Sequence, residues 1–180
     1  YLKWMMTSSA GRDERSGNNN HGTWFDAQAA GLALYVGDRA LAKQIVEEAK
    51  KRRIEACIEP DGSQPEEMQR TKSLHYCIFN LSAMTTLARL GESVDVDLWT
   101  YESPDGRSMR RAMDFVTPYL VGEQEWQHEQ IEDLKFSPSD GGLFYMAASR
   151  YGEPKYIRAF RENERKLPKF EYTRLLFGSD

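Results

Sequence analysis

Residues 18–28 read NNNHGTWFDAQ, and residues 65–84 read PEEMQRTKSLHYCIFNLSAM. In the first stretch a run of asparagines and a histidine precede an aromatic-rich helical pattern. Thr23 with Asp26 three residues later resembles a capping box, with Asp in place of Glu or Gln. With Thr23 as N-cap, Asn19, Asn20 and His21 would stand just outside the positive end of a helix. Amides and an imidazole there suit an anionic group, because helix N-termini favour negative charge. In the second stretch Arg70, Lys72, His75, Tyr76 and Asn80 gather titratable chemistry where a loop becomes a helix. Tyr76 and Asn80 are i,i+4 neighbours on one flank of an apolar stripe. Arg70 stands six residues before Tyr76, so the two converge only if Arg70 lies on the loop or first turn.

Singly, each residue has a structural explanation: a turn for the asparagines, a cap for His21, a core-edge position for Tyr76. Their combination is more specific. NNHGTWFDAQ, followed 55 residues after His21 by Tyr76, with Arg70 six before it, resembles the alginate lyases. The resemblance is sharpest over residues 18–92 and extends through GGLFYMAASRYGEPKY. The order His75-Tyr76 and the six-residue Arg–Tyr step are closer to a branch that includes mannuronate and glucuronan lyases. The family fold is an incomplete (α/α) toroid about twice as long as this chain. The resemblance therefore implies an all-α domain over residues 1–180, the C-terminal half of a longer toroid.

It also implies the site: Asn20, His21, Arg70 and Tyr76 catalytic, with Asn19, Lys72, His75, Asn80, Trp126 and His128 toward the substrate. The implied reaction is β-elimination on a polyuronate, an anionic polysaccharide. A uronate lyase removes the proton at C5, α to a carboxylate, and that proton is too weakly acidic until the carboxylate is neutralised. Asn20 and His21 are expected to supply that neutralisation, and preorganised donors of this kind contribute ~2.7–4 kcal/mol each. Free tyrosine has a pKa near ~10, so Tyr76 needs a cation to act as base, and Arg70 is the expected one. Arg70, Lys72 and the helix terminus are expected to make the groove locally positive. No metal or other cofactor is required, and the 3 histidines show no metal-ligand spacing.

The elements that must position these residues read as helices joined by short loops. Helical periodicity covers 23–36, ending at Gly37 with Asp38 as the next cap, and 40–58, whose charged face is expected to be solvated. Residues 59–67 read as a loop, and a strong helix runs from about Arg70 to Leu90 with Leu74, Cys77, Ile78, Leu81, Met84 or Thr85 and Ala88 inward. Further helices are expected at 107–121, 140–151 and from Pro154 to about Arg165. The polar stretch 122–142 reads as a long surface connection. The first residues read as the end of a helix already under way. No strand signal stands out, and the pattern suggests about four αα-hairpins.

Composition bounds the alternatives. With 180 residues and a net charge of −4, the chain can bury a core and carries no basic footprint for nucleic acid. No apolar run is long enough for a membrane span. The resemblance places the protein in the periplasm or outside the cell. Cys57 and Cys77 are free thiols or one bridge. Two other readings compete: a uronate-active glycoside hydrolase using carboxylates such as Asp26, Glu59 and Asp61, and a non-catalytic helical binding module. Trp24, Trp126 and Tyr145 are aromatic candidates for stacking on sugars, with Trp24 and Tyr145 expected in the core.

Overall fold

The computed structural model describes residues 1–134 and 138–164. Residues 135–137 of the polar connection, and Arg165 at the expected end of the last helix, lie outside that range. The described residues are helical and contain no strand beyond an isolated bridge between Lys72 and Gln130. The order is α1 (Leu2–Thr7), α2 (Ser9–Ser16), α3 (Asn20–Tyr35), α4 (Arg39–Ala49), α5 (Pro65–Met68), α6 (Ser73–Glu92), α7 (Met109–Leu120), α8 (Pro138–Tyr151) and α9 (Pro154–Glu164).

Two helices form the centre. α6 buries Leu74, Cys77, Ile78, Leu81, Met84 and Ala88, the expected stripe, and also Ser82, Ala83, Thr85 and Leu87. From Asn80 to Ala88 it is buried nearly all round, the signature of a helix enclosed by neighbours. α3 packs most extensively on α6 and α4. Its inward residues Ala29, Ala30 and Ala33 are fully buried, and their small side chains let the helices approach closely. The α3–α4 connection forms as expected: Gly37 adopts φ +82°, a conformation that favours glycine, and the Asp38 side chain accepts from the Leu41 N–H at 3.0 Å. Both N-terminal ends, of α3 and of α6, carry the candidate residues.

Three local expectations are corrected. α3 begins at Asn20, and its N-cap is Asn19, whose Oδ1 accepts from the His21 N–H at 3.1 Å. Asn20 and His21 therefore lie in the first turn, not outside it, and Thr23 is a helical residue whose hydroxyl donates to the Asn19 carbonyl. The helix expected over 40–58 is α4 only as far as Ala49 and then changes to a π-helical turn over Lys50–Glu55. Within that wide turn Arg53 is 1% exposed, so the charged face there is not wholly solvated.

Asp26, the third correction, caps nothing. It is fully buried and accepts from Arg15 Nε at 2.8 Å and Arg53 Nε at 2.7 Å. Arg53 also donates to the carbonyls of Gly17 and Arg15, each at 2.7 Å. This network ties the end of α2 to the turn that leads into α3. Gly22 belongs to the same contact. A Cβ there would stand 2.2 Å from the Gly17 oxygen and 2.4 Å from the Arg53 guanidinium, so only glycine fits.

Candidate active site

Arg70 lies on the turn between α5 and α6, not on the helix. From there its guanidinium carbon sits 4.3 Å from the centre of the Tyr76 ring. A guanidinium over the face of a phenol is attracted by the ring's quadrupole, so this contact holds the Arg70 charge beside Tyr76. Among the described residues the Tyr76 hydroxyl makes no hydrogen bond. Tyr76 and His75 are half-buried, with their rings edge-to-face at 5.9 Å.

His21 stands on α3 with its side chain about half exposed (54%), and its Nδ1 lies 2.7 Å from Glu14 Oε1. With Nδ1–H given to Glu14, Nε2 is left to accept when the ring is neutral and to donate when it is protonated. His21, Glu14 and Trp24 line a recess of about 210 Å³ with Tyr1 and Trp4. An aromatic row connects the two helix starts. Trp24 lies 5.3 Å from Phe79, and His75 lies 6.4 Å from Phe79 with nearly parallel planes.

Asn20 is 4% exposed and is held by Glu67. One Glu67 oxygen accepts from the Asn20 main-chain N–H at 2.5 Å, the other from its Nδ2 at 2.8 Å. Burial raises the Glu67 carboxyl above its ordinary value, against the opposing pull of Asn20, Arg70 and His21. The N-terminus of α3 is thus already occupied by an anion of the protein's own. Nothing in the spacing of the sequence pointed to Glu67, or to Glu14, since each meets its partner only through packing.

The other expected residues divide. Asn19 serves as the cap. Lys72 is paired with Glu132 at 2.9 Å, so the positive charge expected of the groove is offset by Glu132, Glu67 and Glu14. Asn80 is fully buried and closed to solvent. Its Nδ2 donates to Gln64 at 2.9 Å, and its Oδ1 is buried without a partner. Trp126 is half-buried and committed to packing. Its Nε1 donates to Ser73 Oγ at 2.7 Å, and its ring meets Phe115, Tyr119 and His128. His128 is exposed beside it. The polar connection is therefore docked at this point: the Ser73 N–H and hydroxyl both donate to the Glu129 carbonyl, and the Leu74 N–H donates to the Gln130 side chain. These bonds satisfy first-turn donors of α6 that no local side chain caps.

The carboxylates of a hydrolase are spent elsewhere. Asp26 sits in the arginine network, Glu59 pairs with Arg107 at 3.1 Å, and Asp61 accepts from the Ser63 N–H at 2.8 Å. Cys57 and Cys77 are both free and buried, and burial pushes the Cys57 thiol up to about 12. Among the described residues no group of three or more His, Cys, Asp or Glu side chains is placed to hold a metal ion. Nor is any described helix long and apolar enough to cross a membrane.

Among the described residues the fold is helical, with the Asn-His pair at the start of α3 and the Arg-Tyr pair at the start of α6. The alginate lyase model matches residues 1–126, and the chain belongs to the alginate lyase family. The crystal structure of an alginate lyase from Bacteroides ovatus is similar at 32% sequence identity with a TM-score of 0.89, over 99% of this chain and 47% of that one. The chain therefore spans about half the length of that relative. The comparison with curated proteins returned no match.

Proposed function

We propose that this chain carries the reacting residues of a polysaccharide lyase that cleaves a polyuronate such as polymannuronate or glucuronan by β-elimination. The observation that carries the reading is the Arg70 guanidinium over the Tyr76 ring at 4.3 Å, on the segment that also holds Asn20 through Glu67. Family membership and the likeness to an alginate lyase support it.

In this reading His21 and the accessible edge of the Asn20 amide meet the uronate carboxylate and hold the charge that builds on it. The Tyr76 phenolate takes the C5 proton, and the C5–H electron pair becomes the C4–C5 double bond. The bond from C4 to the glycosidic oxygen breaks, and that oxygen takes the proton from Tyr76. In mannuronate and glucuronate the C5 proton and O4 share one side, so a single tyrosine serves both transfers. One product bears an unsaturated uronate at its non-reducing end and the other a new reducing end. In the same reading Lys72, His75 and His128 are the residues offered to the flanks of the polymer, and a polysaccharide substrate fits a protein of the periplasm or the cell exterior.

The test is incubation with polymannuronate and with glucuronan under ultraviolet detection. Growth of the absorbance of the unsaturated uronate is the expected result. Saturated reducing ends without it would mean hydrolysis, and no product with retained binding would mean a binding module.

A further inference from the structure

We propose that Glu67 is a positioning residue for this site: by clamping Asn20 at both main-chain and side-chain nitrogens, it dictates which edge of the Asn20 amide faces the substrate. The inference rests on the lyase reading above and extends it to a residue that touches no substrate.

Glu67 lies on α5, is 1% exposed, and reaches across to a residue 47 positions earlier. An ionised carboxylate accepts hydrogen bonds and donates none. With Oε1 on the Asn20 main-chain N–H and Oε2 on Nδ2, the amide has one orientation, in which Oδ1 and the second Nδ2 hydrogen are left for the other side. Asn19 caps the His21 N–H and Glu67 satisfies the Asn20 N–H beside it, so helix capping accounts for one of the two bonds but not for the second, to Asn20 Nδ2. Burying a carboxylate is costly unless it is well bonded, so a carboxylate at this position is not a neutral choice. Glu67 also stands three residues before Arg70 on one short segment. The same backbone therefore fixes Asn20 on one side and the cation over Tyr76 on the other.

Glu67→Gln separates positioning from folding. The introduced side chain keeps the shape but has one acceptor. That acceptor must stay on the Asn20 main-chain N–H, which cannot turn, so the new NH₂ faces the Asn20 amide. Asn20 then flips to offer Oδ1, which preserves both bonds while carrying its donor to the opposite edge. A displacement of about 1 Å in a group that orients substrate costs on the order of 100-fold in rate. The expected result with polymannuronate is a kcat about tenfold or more below wild type, KM within about threefold, and a Tm no lower than wild type. In ¹⁵N-resolved NMR the Asn20 side-chain NH₂ pair should move as it leaves the carboxylate.

A variant with wild-type kcat overturns the proposal. So does one whose Asn20 NH₂ resonances stay in place, and so does one that melts well below wild type, which would make Glu67 a structural residue. Should the wild type form no unsaturated product, the lyase reading itself falls. The resonance shift then decides alone whether Glu67 sets the amide.

Discussion

Tyr76→Phe keeps the ring beneath Arg70, so the cation–π contact and the packing of α6 survive while the proton-carrying oxygen is lost. Thermal unfolding should barely change, polymer should still bind, and turnover should become nearly undetectable. A folded variant that cleaves at near wild-type rate would move the base to another residue, His21 first. His21→Ala and Asn20→Ala should each cost about a hundredfold in kcat/KM, the usual loss on removing a preorganised donor. Glu67 makes stability depend on pH. Burial raises its carboxyl above the ordinary glutamate value, so the folded protein binds that proton more tightly than the unfolded chain does. Its contribution is complete below the ordinary glutamate value and is lost as pH rises through the raised value. The charged and titratable groups around it are His21, Arg70, Cys57 and Cys77. Glu67→Gln has no such proton to lose. Its Tm relative to wild type should therefore climb as pH is raised from about 4.5, in paired melts across pH. A constant difference would show that the carboxyl is not perturbed by the fold.

The starts of α3 and α6 are held by different devices, and each predicts its own response. Before α3 the device is the buried Asp26–Arg15–Arg53 network with the carbonyls it gathers. Arg53→Met leaves part of a buried charge uncompensated and should destabilise by about 3–5 kcal/mol in denaturant unfolding. Turnover should fall with it, since Arg53 holds the Gly17 carbonyl just ahead of Asn20. A variant as stable as wild type would mean that the remaining Arg15 pair suffices. Before α6 the device is the docked connection, in which Trp126 braces Ser73. Trp126→Phe keeps most of the ring packing and removes one hydrogen bond, for a loss of about 0.5–1.5 kcal/mol. If Trp126 braces, KM for polymer should stay near wild type. A tenfold rise in KM without a change in stability would instead make it a sugar-stacking residue.

Across the whole molecule, charge is distributed unlike the locally positive groove that Arg70 and Lys72 suggest. Lys72 is paired, and Glu14 and Glu67 stand beside His21 and Arg70. Attraction of a polyanion by this chain should therefore be short-ranged and only moderately screened. Between ~50 and ~300 mM salt, polymannuronate affinity should fall by less than about tenfold. A far steeper fall in a titration series would mean that the local carboxylates do not offset the positive charge of the groove. The core itself follows α6. Leu81 is fully buried, and Leu81→Ala should cost about 2–5 kcal/mol with no separate effect on the chemistry.

What the sequence determined by itself was whatever depends on neighbours along the chain. Apolar spacing drew α6 and its inward face, Gly37 and Asp38 marked a turn and a cap, and Arg70 six before Tyr76 required a cation off the helix. Local patterns misled where a short polar side chain had several uses. Thr23 and Asp26 have capping-box spacing, yet Asn19 caps and Asp26 pairs with two arginines. Asn80 shares a flank with Tyr76 by spacing, yet Gln64 takes it into the interior. Only the tertiary structure decided that Arg53 is buried, that the 126–131 stretch docks on α6, and that Glu67 grips Asn20. Periodicity reports which face of a helix avoids water. The partner of a buried polar group is settled by which distant donors and acceptors packing brings within about 3 Å, the range at which a hydrogen bond forms.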